Sequence, residues 1–258
     1  MKRFLAEGLI VGVVVVTSSG CIISPAPVMP PRGTPAQRIR YQDGLTELNL
    51  SGQRLGALPQ AVLEVQGLQE LCLDKNAGIA IGEDILSLRQ LRRLSLEGCA
   101  LLSMPDSLCR STVLEILSLN DNQICSLPDE VGSLRNLRVL SVGRNHLIEL
   151  PGSLGLLSKL ELLNADDNLL RDLPATMSGL VALKSLSLDR NRISSLPDSI
   201  CDLRGLESLS LAHNRLTHLP AAIGNLDGLK VLALNGNMLP REEMARVRKS
   251  LPHTMIVE

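Results

Sequence analysis

From Leu45 onward the sequence repeats every 23 residues, and eight copies run to residue 228 without an insertion. They begin at Leu45, Leu68, Leu91, Leu114, Leu137, Leu160, Leu183 and Leu206, with a truncated ninth at Leu229. "LEILSLNDNQICSLPDEVGSLRN" and "LRVLSVGRNHLIELPGSLGLLSK" show the pattern: apolar residues at positions 1, 4, 6, 11, 14, 18 and 21, and asparagine at position 9. A period held this long implies one supersecondary unit stacked on copies of itself. Around positions 3–7 apolar residues alternate with polar ones, as in a strand with one buried face. One strand per copy gives a parallel sheet with neighbours ~4.8 Å apart. No copy can bury its apolar face alone, so the copies stack into a solenoid. The core is leucine-based, since Phe4 and Tyr41 are the only aromatic residues.

The pattern LxxLxLxxNxLxxLPxxIxxLxx resembles the leucine-rich repeat. Its Leu-Pro pair resembles the repeats of the Ras-group and SHOC-2-like proteins. The expected fold is an α/β repeat solenoid: a curved leucine-rich-repeat horseshoe, with the parallel sheet on its concave face and short helical or 3-10 turns on its convex face.

Not every copy conforms. At position 9, Gln53 and Cys99 stand where Asn76, Asn122, Asn145, Asn168, Asn191, Asn214 and Asn237 occupy the other copies. A buried amide both donates and accepts, which suits the point where the chain leaves the strand and exposes backbone groups. Cys99 offers only a weak donor. The second copy, "NAGIAIGEDI", lacks Leu-Pro and moves its apolar residue to Ile79, and Ser111 interrupts position 21 of the third. Local distortion is expected over residues 76–112.

The ends differ from the middle. Residues 1–21, "MKRFLAEGLIVGVVVVTSSGC", carry Lys2 and Arg3, an apolar run from Leu9 to Val16, and small residues before Cys21. This is the layout of a secretory signal, and the run is shorter than the ~20 residues of a spanning helix. The small residues before a cysteine resemble the lipobox of bacterial lipoproteins, although Ser18 stands where that family usually has Leu. The resemblance implies cleavage after Gly20 and lipidation of Cys21. Residues 22–44 read as a proline-rich tether and N-terminal cap. The repeats occupy 45–240, and 241–258 form a capping helix and an edge strand.

Function must come from the outward positions. Position 3 reads Glu47, Glu70, Arg93, Ile116, Val139, Leu162, Ser185, Ser208, Val231. Ile116, Val139 and Leu162 fall on adjacent strands and form an apolar strip on the concave face, where contiguous exposed apolar surface marks binding. Arg93 and Arg138 are the polar anchors, arginine being frequent at binding hot spots. Position 5 is small and mostly polar. Position 7 is acidic at Asp74, Glu97, Asp166 and Asp189, and Asp166 and Asp189 are candidate contacts for a basic ligand group. Position 2 alternates in charge from Arg92 to Lys230, and position 8 from Asp121 to Arg190, as cross-strand ion pairs require. Within position 8, Arg190 is expected between Asp167 and His213.

The remaining classes are weak. The formal net charge of −1 gives no reason to expect nucleic acid, and aromatic stacking platforms are lacking. His146, His213, His218 and His253 form no nucleophile or metal spacing, and no glycine-rich phosphate loop occurs. Enzyme, cofactor, metal and small-molecule readings are therefore not favoured. Cys72, Cys99, Cys109, Cys125 and Cys201 are odd in number and scattered in the repeat, so they form no disulfide framework. Free thiols are unusual in exported proteins.

The expected function is non-enzymatic protein or peptide binding on the concave face, by a module lipid-anchored to a bacterial envelope membrane and facing the periplasm or exterior. The alternatives are a cytoplasmic SHOC-2-like scaffold contacting a small GTPase or enzyme, and a self-associating envelope spacer.

Overall fold

The computed structural model describes residues 44–258 throughout. Of the first 43 it gives only the backbone of two antiparallel strand pairs, β1 (Lys2–Ala6) with β2 (Leu9–Val13) and β3 (Val16–Thr17) with β4 (Gly20–Cys21). The side chains of the expected signal, Cys21 included, and the tether up to residue 43 lie outside the described residues.

Ten strands form one parallel sheet in chain order: β5 (Glu47–Asn49), β6 (Glu70–Cys72), β7 (Arg93–Ser95), β8 (Ile116–Ser118), β9 (Val139–Ser141), β10 (Leu162–Asn164), β11 (Ser185–Ser187), β12 (Ser208–Ser210), β13 (Val231–Ala233) and β14 (Met255–Val257). The register is position to position along the repeats, so Arg93, Ile116, Val139 and Leu162 are direct neighbours. The central residue of each repeat strand is buried and its two flanking residues face outward. This is the solenoid that the 23-residue period implies.

After each strand the chain turns sharply at position 8. Lys75, Asp121, Arg144, Asp167, Arg190 and His213 all have φ between 52 and 57°, and Gly52, Gly98 and Gly236 lie at 64–74°. Left-handed backbone costs a non-glycine residue ~1–2 kcal/mol, so the turn must be held from outside. The asparagine at position 9 does this. Asn145 Nδ2 donates to the carbonyls of Leu119 at 2.9 Å and Val142 at 3.0 Å, and its Oδ1 accepts the N–H of Ile124 at 3.0 Å. Asn122, Asn168, Asn191 and Asn214 repeat these bonds one unit apart.

Cys99 supplies half of that function. Its buried Sγ donates to the Leu73 carbonyl at 3.3 Å. It has no side-chain acceptor, and the N–H of Gly78 instead reaches the Cys99 main-chain carbonyl at 2.8 Å. Gly78 adopts φ 75° and Ala100 φ 56°, and Ala80 pairs with Ala57 in an isolated bridge. The expected irregularity therefore lies in the loops at residues 78–100. Strands β6 and β7 keep their register.

The return path is short. The Leu-Pro pairs at position 14, and Met104-Pro105 in the third copy, are followed by a single 3-10 turn, as at Asp106–Arg110, Asp129–Ser133, Gly152–Leu156 and Ala175–Gly179, or by the brief helix α1 (Gln60–Leu63) in the first copy. Proline presets an extended backbone, and its carbonyl accepts the N–H three residues on, as for Leu154 on Pro151 at 3.0 Å. The turns of successive repeats nearly touch. A Cβ on Gly155 would overlap the Thr176 carbonyl, and one on Gly179 the Gly155 carbonyl.

At the far end, α2 (Arg241–Ser250) closes the core with Val247, and β14 adds the last strand. Arg246 donates to the Leu219 carbonyl at 2.9 Å and to Glu243, while Glu243 Oε1 accepts the Leu219 N–H at 2.8 Å. Among the described residues no helix is long and apolar enough to cross a membrane. All five cysteines of this region are free thiols. Burial raises the thiol pKa of Cys109 and Cys201 to about 11, which leaves them inert.

Candidate functional site: the concave face

The concave face is built from positions 3, 5 and 7 of each strand. At position 3, Ile116, Val139 and Leu162 stand side by side on β8, β9 and β10, each partly exposed. Toward the N-terminal edge the strip meets a groove of about 320 Å³ lined by Glu70, Cys72, Arg93, Ser95, Ile116 and Ser118. Arg93 forms an ion pair with Glu70 on the neighbouring strand, so its guanidinium is positioned beside the strip. Toward the C-terminal edge position 3 continues with Ser185 and Ser208, then Val231 and the exposed Met255.

Positions 5 and 7 are coupled in a way the column-by-column reading missed. The Asp166 carboxylate accepts the hydroxyl of Ser187 at 2.7 Å and the main-chain N–H of Asp189 at 2.7 Å. Asp189 does the same for Ser210 and the N–H of Ala212, both at 2.7 Å, and Asp74 for Ser95 at 2.6 Å and the N–H of Glu97 at 2.9 Å. Glu97 accepts from Ser118 and Asn120. Asp74, Asp166 and Asp189 thus each cap a backbone donor past the end of the next strand, and Glu97 binds side chains alone. Burial pushes the Asp166 carboxyl above its ordinary pKa, the Ser187 and Asp189 bonds pull it back, and the charges of Asp189 and Asp167 add to the rise. Asp166 and Asp189 therefore have an internal role in joining neighbouring repeats. The signal was present in the sequence: each of these acids is followed 21 residues later by serine, whereas Ala212 is followed by Ala233.

Charged walls flank the floor. At position 2, Arg92 pairs with Glu115, Arg138 with Glu161 through Nε at 2.7 Å, Lys184 with Glu161 at 3.2 Å, and Lys230 with Glu207 at 2.6 Å. The Arg138 guanidinium is the main reason that the Glu161 carboxyl lies below its usual range, with Lys184 adding to it. At position 8, Arg144 pairs with Asp121 at 3.3 Å and Arg190 with Asp167 at 3.9 Å. The expected bracket of Arg190 by His213 needs correction. The His213 ring instead lies against Gly236, whose missing side chain makes room for it. A polar groove of about 520 Å³ runs between Asp166, Asp189, Arg144, His146 and Arg190. Among the described residues no group of three histidine, cysteine or acidic side chains could hold a metal ion.

Comparison with known proteins agrees with this geometry. The family model for the leucine-rich repeat region matches residues 85–188, and that for the leucine rich repeat matches 174–239. The chain is a leucine-rich-repeat protein. Its solenoid is similar to the plant peptide hormone receptor RGFR1, solved in complex with RGF2, at 26% identity and TM-score 0.65 over 80% of this chain and 35% of that one. It is also similar to the leucine-rich-repeat ectodomain of the Arabidopsis thaliana membrane receptor kinase GASSHO1/SCHENGEN3, solved in complex with CASPARIAN STRIP INTEGRITY FACTOR 2, at 26% identity and TM-score 0.57 over 80% of this chain and 29% of that one. The leucine-rich-repeat protein LIC12759 of Leptospira interrogans is a looser likeness, at 20% identity and TM-score 0.41 over 89% of this chain and 100% of that one. The chain thus spans about a third of the length of the two plant receptors. No curated protein matches it.

Proposed function

We propose that this leucine-rich-repeat protein is a non-enzymatic binding module that takes a protein or peptide on its concave face, centred on Ile116, Val139 and Leu162. The observation that carries the reading is the register. Three partly exposed apolar side chains stand on three adjacent strands, beside the positioned Arg93 and Arg138 and above a floor of small residues. Such a patch in a concave surface, rimmed by polar groups, is what a protein interface requires. The peptide complexes of the two plant receptors support the class of ligand. We further propose that Cys21 is lipidated and holds the module at a bacterial envelope membrane.

Affinity capture from the native host, read by mass spectrometry, tests the first part. Ile116→Asp with Leu162→Asp is expected to lose the captured partner, and Val181→Asp, at an exposed site off this face, to keep it. Retention by the double variant would displace the site. Radiolabelled palmitate tests the second part: incorporation is expected in the parent chain and absent in Cys21→Ala.

A further inference from the structure

The repeat carries a second outward ladder, on the flank where the chain has just left the sheet. Positions 10 and 12 bracket the buried position 11, and their backbone is tied from repeat to repeat. The N–H groups of Gln123, His146, Leu169, Arg192 and Arg215 donate to the preceding position-11 carbonyls of Leu101, Ile124, Leu147, Leu170 and Ile193 at 2.8–2.9 Å. Side chains of these two positions therefore form a strip running along the solenoid.

The composition of the strip is one-sided. Neither position holds an aspartate or glutamate in any copy, in a chain with 27 acidic and 26 basic residues. In the strip's N-terminal half position 12 is apolar and open to solvent at Leu102, 71% exposed, and Ile148, 52% exposed, with the exposed Cys125 between them, while position 10 there holds the exposed Arg54, Gln123 and His146. Its C-terminal part holds Arg171, Arg192 and Arg215, all exposed, and none has an ion-pair partner among the described residues. Positions 2 and 8 contrast with this, since their bases are matched by acids on neighbouring strands. The nearest acids in sequence are Glu149 and Asp172 at position 13.

We propose that this flank lies against an anionic lipid surface, with Leu102 and Ile148 in the headgroup region and Arg171, Arg192 and Arg215 on lipid phosphates. Apolar side chains combined with unpaired bases, and no carboxylate among them, match what an anionic bilayer surface binds. A hydrogen-bonded row of backbone presents them in line, as a planar partner requires. An acidic protein segment would engage the arginines alone and leave Leu102 and Ile148 in water. The inference rests neither on the concave-face reading nor on lipidation of Cys21.

The test uses the full chain with Cys21→Ser and Cys72→Ser, an environment-sensitive fluorophore on Cys125, and vesicles containing a lipid-bound quencher. Quenching is expected with phosphatidylglycerol in the vesicles, to be absent with phosphatidylcholine alone, and to fall with salt. Three arginines replaced together, Arg171→Glu, Arg192→Glu and Arg215→Glu, should weaken partition on the order of a hundredfold, with an unchanged circular dichroism spectrum. Arg→Gln at the same sites serves if that variant fails to fold. Leu102→Ser with Ile148→Ser should weaken it too, and Ile116→Asp with Leu162→Asp should not. Unquenched Cys125 probe on anionic vesicles overturns the proposal, as does quenching that survives the arginine changes. Binding of polyglutamate without any quenching by vesicles would overturn it in favour of an acidic protein partner.

Discussion

At the scale of single residues, the molecule depends on side chains that complete backbone bonding across a repeat boundary. Asn145→Ala would strand the Ile124 N–H in the core and leave the Leu119 carbonyl with only its bond from Asn122. A loss of about 1–3 kcal/mol is expected, read as a lower urea midpoint. The acids at position 7 predict a finer pattern. Asp189→Asn keeps an acceptor for Ser210 and Ala212 and should be nearly neutral, whereas Asp189→Ala should cost about 1–2 kcal/mol. The asparagines and leucines were legible because each recurs at one phase of the period. The left-handed turn at position 8 was not: only Gly52, Gly98 and Gly236 hint at it, and arginine, aspartate and histidine carry no mark of positive φ. The role of Asp166 was hidden because its partner Ser187 lies in another column, 21 residues away.

At the scale of elements, two closures can be tested. The 3-10 turns pack so closely that Gly155→Ala must move backbone rather than a flexible side chain. A cost of about 1–3 kcal/mol is expected from thermal or urea unfolding. The clamp of α2 on Leu219 should respond to acid. The Arg246 guanidinium lowers the Glu243 carboxyl to about 2, and the N–H of Leu219 adds to the effect. The unfolded value is ~4.3, so this stabilisation is complete above that pH and is lost as pH falls toward 2. Amide exchange in α2 should accelerate over that window before exchange in β9 and β10, and Glu243→Gln should remove the pH dependence. The turns after Leu-Pro were legible from proline chemistry. Their close approach was not, because small residues such as Gly132, Gly155 and Gly224 have no single sequence reading.

At the scale of the whole molecule, stability is close to a sum over repeats and the contacts between neighbours. The asparagine ladder is interrupted at Cys99, where the Gly78 N–H is rerouted to a main-chain carbonyl. The first two repeats should therefore exchange before the rest: amides of Leu50 and Leu73 should lose protection at lower denaturant than those of Leu140 and Leu163. The solenoid itself was legible, since only stacking buries so many leucines with so few aromatics. The flank at positions 10 and 12 was not, because those residues lie past the strand and read as loop until the hydrogen bonds align them.

The reach of the asparagine bonds has a further consequence. Asn168 engages Val142 and Leu147 in the repeat before it and nothing more distant, and Asn191 occupies the equivalent place one unit later. Excising residues 160–182 in one piece would hand Asn168's backbone partners to Asn191, and the unmatched groups would be those that Glu161, Asp166 and Asp167 now serve, Arg138, Lys184, Ser187, the Asp189 N–H and Arg190. The solenoid is in this sense made of interchangeable parts. Its length can be edited by whole units, and the loss of Leu162 in such a deletion would shorten the concave strip while leaving the machinery of folding intact.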